Sequence, residues 1–227
     1  MSLTVAYAAL ATGIIVWAVL VTRLRARPWE KQMATAGDVG VPTASPKRIG
    51  LWVFLAVITS MFCLFVSAYY MRMGHHAGHG TPGDWSAVRD PAILWFNTVL
   101  LIFGSVAMQS ARTAVARGQT GRTRVRLFAA GLLTFGFLIG QWFAWRELRN
   151  SELFSPANPA VAFFYVLTAV HALHLVGGLV VWARTLTRSL RKDVELIDVG
   201  LSVELTSVYW HYLLLVWLGL FALLLST

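Results

Sequence analysis

Acid is scarce in this sequence. Only ten Asp and Glu occur among 227 residues, and charged residues make up 13% of the chain against 57% hydrophobic ones. A soluble domain carries about 25% charged residues. A chain with half of that and a mean hydropathy of +0.65 cannot cover a water-facing surface, so the bilayer is its natural solvent. Cysteine is scarcer still. The single Cys63 excludes an internal disulfide and, in the middle of an apolar run, reads as a small packed side chain. No internal repeat or low-complexity tract is present. Nineteen Lys and Arg give a net charge of +9. They sit in short clusters between apolar runs rather than along one basic face, which excludes reading the charge as a nucleic-acid footprint.

What is abundant is apolar sequence in lengths near 20 residues, enough to cross about 30 Å of hydrocarbon. Six such stretches occur, at about 3–22, 50–71, 92–113, 126–146, 160–183 and 203–225. Each is too long and too apolar for a strand, and the connections carry Gly, Pro and charge. In the first stretch the charges Arg23, Arg25 and Arg27 follow the apolar run, the reverse of a cleaved signal peptide, so a retained helix is expected. Fifteen Lys and Arg fall in the loops on one side and four (Arg72, Arg89, Arg146, Arg149) on the other. The positive-inside rule then places both termini outside. The expected fold is an all-α integral membrane protein of six transmembrane helices. Its parts are an N-terminal helix over 1–23, a cytoplasmic linker over 24–49 with Pro28, Pro42 and Pro46, and a five-helix membrane domain over 50–227.

Nine of the ten acids lie in loops or at helix ends, and only Glu204 falls inside a span. One acid near one interface cannot relay protons across a membrane, which argues against an autonomous pump. A small-molecule transporter predicts broken helices and paired polar sites near the midplane, and neither is legible.

Four residues form a candidate polar cluster. His171 and His174 are spaced i, i+3 on the fifth span, and Glu204 and His211 are i, i+7 on the sixth, each pair on one helix face. Their chemistry suits metal or haem ligation, but their depths do not match. A buried polar pair fixing helix register is the favoured reading. A second group, His75, His76 and His79, is placed in an outward, glycine-rich, solvated loop, where Zn²⁺ or Cu²⁺ would bind only adventitiously. No metal site is therefore assigned to this chain. Trp85, Trp95, Trp142 and Trp145 fall near the outer boundary, where an amphipathic ring is most comfortable. Gly177 and Gly178 permit close helix approach.

Several strings carry a resemblance. They are R-I-G-L-W-V-F-L at Arg48–Leu55, L-W-F-N-T-V-L-L at Leu94–Leu101, and G-F-L-I-G-Q-W-F-A-W at Gly136–Trp145. F-F-Y-V-L-T-A-V-H-A-L-H-L-V-G-G follows at Phe163–Gly178, then Glu204, Y-W-H at Tyr209–His211, and V-W at Val216–Trp217. In this order and spacing, over about Arg48 to Leu225, the chain resembles the haem-copper oxidase subunit III family (cytochrome c oxidase subunit III).

The resemblance implies a helical accessory subunit beside catalytic subunit I, with subunit II in the same complex. It implies no haem or copper and no catalytic residues in this chain, those cofactors belonging to partner subunits. It also implies bound phospholipid in a cleft between helix groups and protection of the oxidase during turnover. The residues it marks are the cytoplasmic-end pair Arg48 and Gly50, and a lipid-binding or structural cluster of His171, His174, Glu204, Tyr209, Trp210 and His211. The expected location is a bacterial plasma membrane. Three departures stand out, one of them the single extra helix before the five-helix body, where family members commonly have seven or five helices. The family's buried glutamate falls at Ile58, and the acid that often follows Y-W-H falls at Leu214. Their loss puts proton uptake by this subunit in doubt. It leaves room for a divergent branch, including the accessory subunit of a nitric oxide reductase.

Overall fold

Pro46 opens the first helix, at the position where its missing N–H costs nothing. The structure, a computed structural model, describes residues 46–79, 92–150, 159–190 and 196–226, without the side chains of 74–79 and 196–198. Among the described residues there are five helices: α1 Pro46–His79, α2 Ala92–Ala116, α3 Thr120–Arg149, α4 Pro159–Leu190 and α5 Leu196–Leu225. All five are long and apolar enough to cross a membrane. The expected span at 3–22 and the linker as far as residue 45 lie outside the described residues.

Each helix overruns the apolar stretch that announced it. α1 takes in Pro46–Ile49, which hydropathy alone leaves in the linker, and runs on through His79. The backbone of His75, His76 and His79 is therefore helical, not loop. Gly74 and Gly78 weaken a helix without ending it, and the described helix reaches His79. Likewise Arg122 and Arg124 belong to the first turns of α3. Arginine is a good helix former, so a charged stretch beyond the hydrocarbon need not be a loop.

By internal contacts the chain falls into two compact units, Met1–Gly80 and Thr81–Thr227. In the first, α1 buries Leu55, Ile58, Phe62 and Tyr69, which recur on one helix face. In the second, α2 packs on α3 and α5, and α4 packs on the same two, closing a four-helix ring. The turn between α2 and α3 needs only three residues. Gly118 takes φ 70° and donates its N–H to Val115 O at 2.9 Å, while Gln119 N–H reaches Ala114 O at 3.0 Å. That is the αL helix stop which glycine permits.

Three of the four interfaces are notched by a glycine. A Cβ at Gly140 on α3 would overlap the Asn97 side chain of α2. One at Gly131 would overlap the Trp182 ring of α4, and one at Gly178 on α4 would lie 2.8 Å from Tyr209 Cε1 of α5. Association between helices in lipid rests on such close approach, because apolar burial gains little there. Gly177, beside Gly178, faces nothing within 4 Å.

These two surroundings give opposite outcomes for one chemical change. Gly131→Ala should destabilise the protein by about 1–3 kcal/mol through overpacking against Trp182. Gly177→Ala should leave it unchanged or slightly more stable, since alanine is the better helix former. Thermal melting of the two purified variants in detergent is the check, and equal midpoints would contradict the notch.

Candidate functional site

The residues singled out from the sequence reach three different surroundings. His171, on α4, is fully buried. Its ring packs edge-on to Phe137 at 5.9 Å and tilted against Trp217 at 5.3 Å, and those two rings meet each other at 4.8 Å. Neither imidazole nitrogen has a hydrogen-bond partner among the described residues. His171 thus serves as a flat ring in an aromatic cluster. His174, one turn on, uses Nδ1 on the Val170 carbonyl of its own helix at 2.7 Å, while its own carbonyl accepts from Tyr209 OH at 3.0 Å. Tyr209 ties α5 to α4, and Trp210 Nε1 donates to Thr134 Oγ1 on α3 at 3.1 Å.

Glu204 and His211 turn the other way, toward α2. Glu204 Oε1 lies 3.4 Å from Arg112 Nη2, a pair that is partly exposed. His211 Nδ1 is hydrogen-bonded to Ser105 Oγ, and Nε2 is 3.1 Å from Gln109 Oε1. An amide oxygen only accepts, so Nε2 carries the ring proton and Nδ1 accepts from the serine hydroxyl. Ser207 Oγ adds a longer bond of 3.4 Å to the same Gln109 oxygen. Along this seam the α2 numbers fall from 112 through 109 to 105 as the α5 numbers rise from 204 through 207 to 211, as antiparallel neighbours must.

The two pairs are therefore separated: His171 is inside the bundle with His174 half-buried one turn on, and Glu204 and His211 lie on the α2/α5 seam. Among the described residues, no three His, Cys, Asp or Glu side chains gather in a group able to hold a metal ion. The side chains of His75, His76 and His79 lie outside the description. Arg48 and Gly50 sit exposed in the first turns of α1. Ile58 is buried and Leu214 half-buried, so at both positions where the family pattern has an acid this chain holds apolar bulk.

Ser105, Gln109 and Arg112 escaped the sequence reading, although their i, i+4, i+7 spacing mirrors Glu204, Ser207 and His211. Two residues of the motif strings, Asn97 and Gln141, meet as an interior amide pair. Asn97 Nδ2 donates to Gln141 Oε1 at 3.5 Å, and both side chains are buried.

Because His171 makes no hydrogen bond to a described residue, its ring is replaceable. His171→Leu should change stability by about 1 kcal/mol or less, the usual cost of a near-isosteric apolar exchange. Thermal melting in detergent tests this, and a large drop would mean that the imidazole nitrogens carry bonds after all.

Comparison with known proteins converges on one family. Residues 3–226 match the family described as Cytochrome c oxidase subunit III. The cytochrome c oxidase subunit 3 of Thermostichus vulcanus is 27% identical over 176 residues, covering 78% of this chain and 85% of that one. The cytochrome c oxidase subunit 3 of Corynebacterium diphtheriae is 25% identical over 173 residues, covering 76% and 84%. The heme-copper oxidase subunit I+III of Aeropyrum pernix is 26% identical over 179 residues, 78% of this chain but only 22% of that longer protein. The chain belongs to the cytochrome c oxidase subunit III family.

Proposed function

We propose that this chain is the non-catalytic accessory subunit of a membrane-bound terminal oxidase, aa3-type or related, that reduces oxygen to water. The observation that carries the reading is the family match over residues 3–226. Oxygen chemistry and proton pumping belong to partner subunits I and II, which hold the haem and copper. The name of the Aeropyrum relative, which joins I to III in one chain, supports subunit I as the direct neighbour. Bacterial relatives and the apolar helices support a multi-pass protein of a bacterial plasma membrane, with both termini outside by the distribution of Lys and Arg.

The chain's contribution is mechanical. Its interior is tied by fixed hydrogen bonds and glycine notches, and Ile58 and Leu214 offer no carboxyl for proton uptake. Such a scaffold stabilises the catalytic subunit and keeps phospholipid at its flank. Glu204 and Arg112, partly exposed near the cytoplasmic ends of their helices, stand where a lipid headgroup reaches.

Two measurements test this. Mass spectrometry of the purified complex should identify a haem-copper oxidase subunit I; a nitric oxide reductase catalytic subunit in its place would select the rival reading. Removing this chain should then shorten the number of turnovers before inactivation far more than it lowers the initial rate. An immediate collapse of proton pumping with the partners intact would refute the mechanical role.

Glu204→Ala should free Arg112, reduce retained lipid or subunit occupancy, and leave the fold intact, since a partly exposed ion pair contributes only about 0–1 kcal/mol. Native mass spectrometry of the variant complex reads both quantities. Lipid count and occupancy equal to wild type would reduce Glu204 to a helix-end acid balanced by Arg112.

A further inference from the structure

Outward-facing positions in the middle of a transmembrane helix are apolar where lipid covers them, since a polar side chain at that depth is costly. α3 and α4 obey this. The outward positions in the middle of α3 include Phe128, Leu132, Phe135, Ile139 and Phe143, and those of α4 include Val166, Leu173, Val176 and Val180. The α2/α5 face does not. Gln109 and His211 are both exposed. His211 lies 12 residues beyond Val199 and 14 before Leu225, the ends of its span. That is about 18 Å and 21 Å from them, while Gln109, 17 residues beyond Ala92 and 7 before Ala116, sits nearer one end of its own span but still within it.

The Arg112–Glu204 pair borders this polar centre on one side; on the other the surface is apolar. Ile102 and Val106 precede Gln109 on one face of α2, and Leu215 and Leu218 follow His211 on one face of α5, all four exposed. His211 has both ring nitrogens engaged, by Ser105 and Gln109. Gln109 is engaged only through Oε1, and its Nε2 has no acceptor among the described residues. An amide donor in hydrocarbon needs a protein acceptor, because lipid tails supply none. A hydrogen-bonding centre in hydrocarbon with apolar side chains beside it suits a second helix rather than acyl chains.

We propose that the α2/α5 face centred on Gln109 and His211 is the docking surface for a transmembrane helix of the catalytic subunit, one that presents a hydrogen-bond acceptor to Gln109 at that depth. The occupant's identity rests on the function proposed above; the choice of face rests on the exposed polar pair alone. The lipid-facing sides are then those of α3 and α4.

The test uses the whole complex, purified through a tag on the catalytic subunit. A photo-reactive benzoylphenylalanine is placed at Val106, on the proposed face, or at Leu173, on the outer face of α4. Val106 should cross-link to the catalytic subunit and Leu173 should not. Gln109→Leu, which keeps the Ser105–His211 bond, should cut the amount of chain retained in detergent about threefold or more, the loss expected for one interhelical hydrogen bond in a membrane. Cross-links from Leu173 with none from Val106 would put the interface elsewhere. A Gln109→Leu complex as resistant to detergent as wild type would remove the amide's role and overturn the proposal. If the wild-type chain carries no oxidase subunit through purification, the functional reading falls first, and the assignment of the occupant with it.

Discussion

An indole N–H inside a bilayer has no water to fall back on, and four tryptophans of the helical ring meet that constraint in related ways. Trp145 Nε1 donates to Thr168 Oγ1 at 2.9 Å, Trp210 to Thr134 at 3.1 Å and Trp217 to Thr98 at 2.9 Å. In each case the threonine hydroxyl donates in turn to the carbonyl four residues back on its own helix, at Phe164, Ala130 and Leu94. A hydroxyl can do both because it has one proton and two lone pairs. The fourth, Trp182, reaches the Leu127 carbonyl directly at 2.8 Å, and it does so across the notch left by Gly131. Each bond joins two helices at one register. Individually such bonds contribute only about 0.6–2 kcal/mol in a membrane, but a slip of one residue would strand several N–H groups together. The ring's geometry follows from that penalty.

Apolar runs and their spacing were enough to read the helices, because length and hydropathy act locally. The five spans from 50 onward all fall within described helices. Their ends were less legible. Helical hydrogen bonding does not stop where hydrocarbon stops, so α1 gained Pro46–Ile49 at one end and the backbone of His75, His76 and His79 at the other. The tryptophans expected at the outer boundary have different surroundings: Trp95 and Trp142 are exposed, Trp145 is half-buried and bonds to Thr168 while its carbonyl accepts from Tyr165 OH, and Trp85 lies outside the described residues. The difference lies in which helix face each occupies, and that depends on the partner helix rather than on local sequence.

The polar cluster was harder to read for the same reason. Helical spacing pairs residues within one helix: His171 with His174, Glu204 with His211. It says nothing about which neighbour each face meets. α5 has neighbours on two sides, α4 and α2. Tyr209 turns to the first, and Glu204, Ser207 and His211 turn to the second. A grouping made from chemistry alone joined residues that the bundle holds apart.

That division separates two physical roles on one helix. The inward face of α5, with Trp210 and Trp217, closes on threonines already bound within the ring and has little left to offer another molecule. The seam toward α2 is built differently. Its bonds run laterally between side chains, end in an amide whose Nε2 has no acceptor among the described residues, and lie exposed within the spans. An accessory subunit needs both properties at once. It must hold its own shape in a solvent that rewards no apolar burial, and it must still be recognised there by another chain. Where hydrophobic burial cannot supply recognition, an uncovered hydrogen-bonding group at matched depth can. Such a group is costly toward lipid and favourable only toward a helix that answers it, so it selects the partner by penalising every lipid-covered alternative.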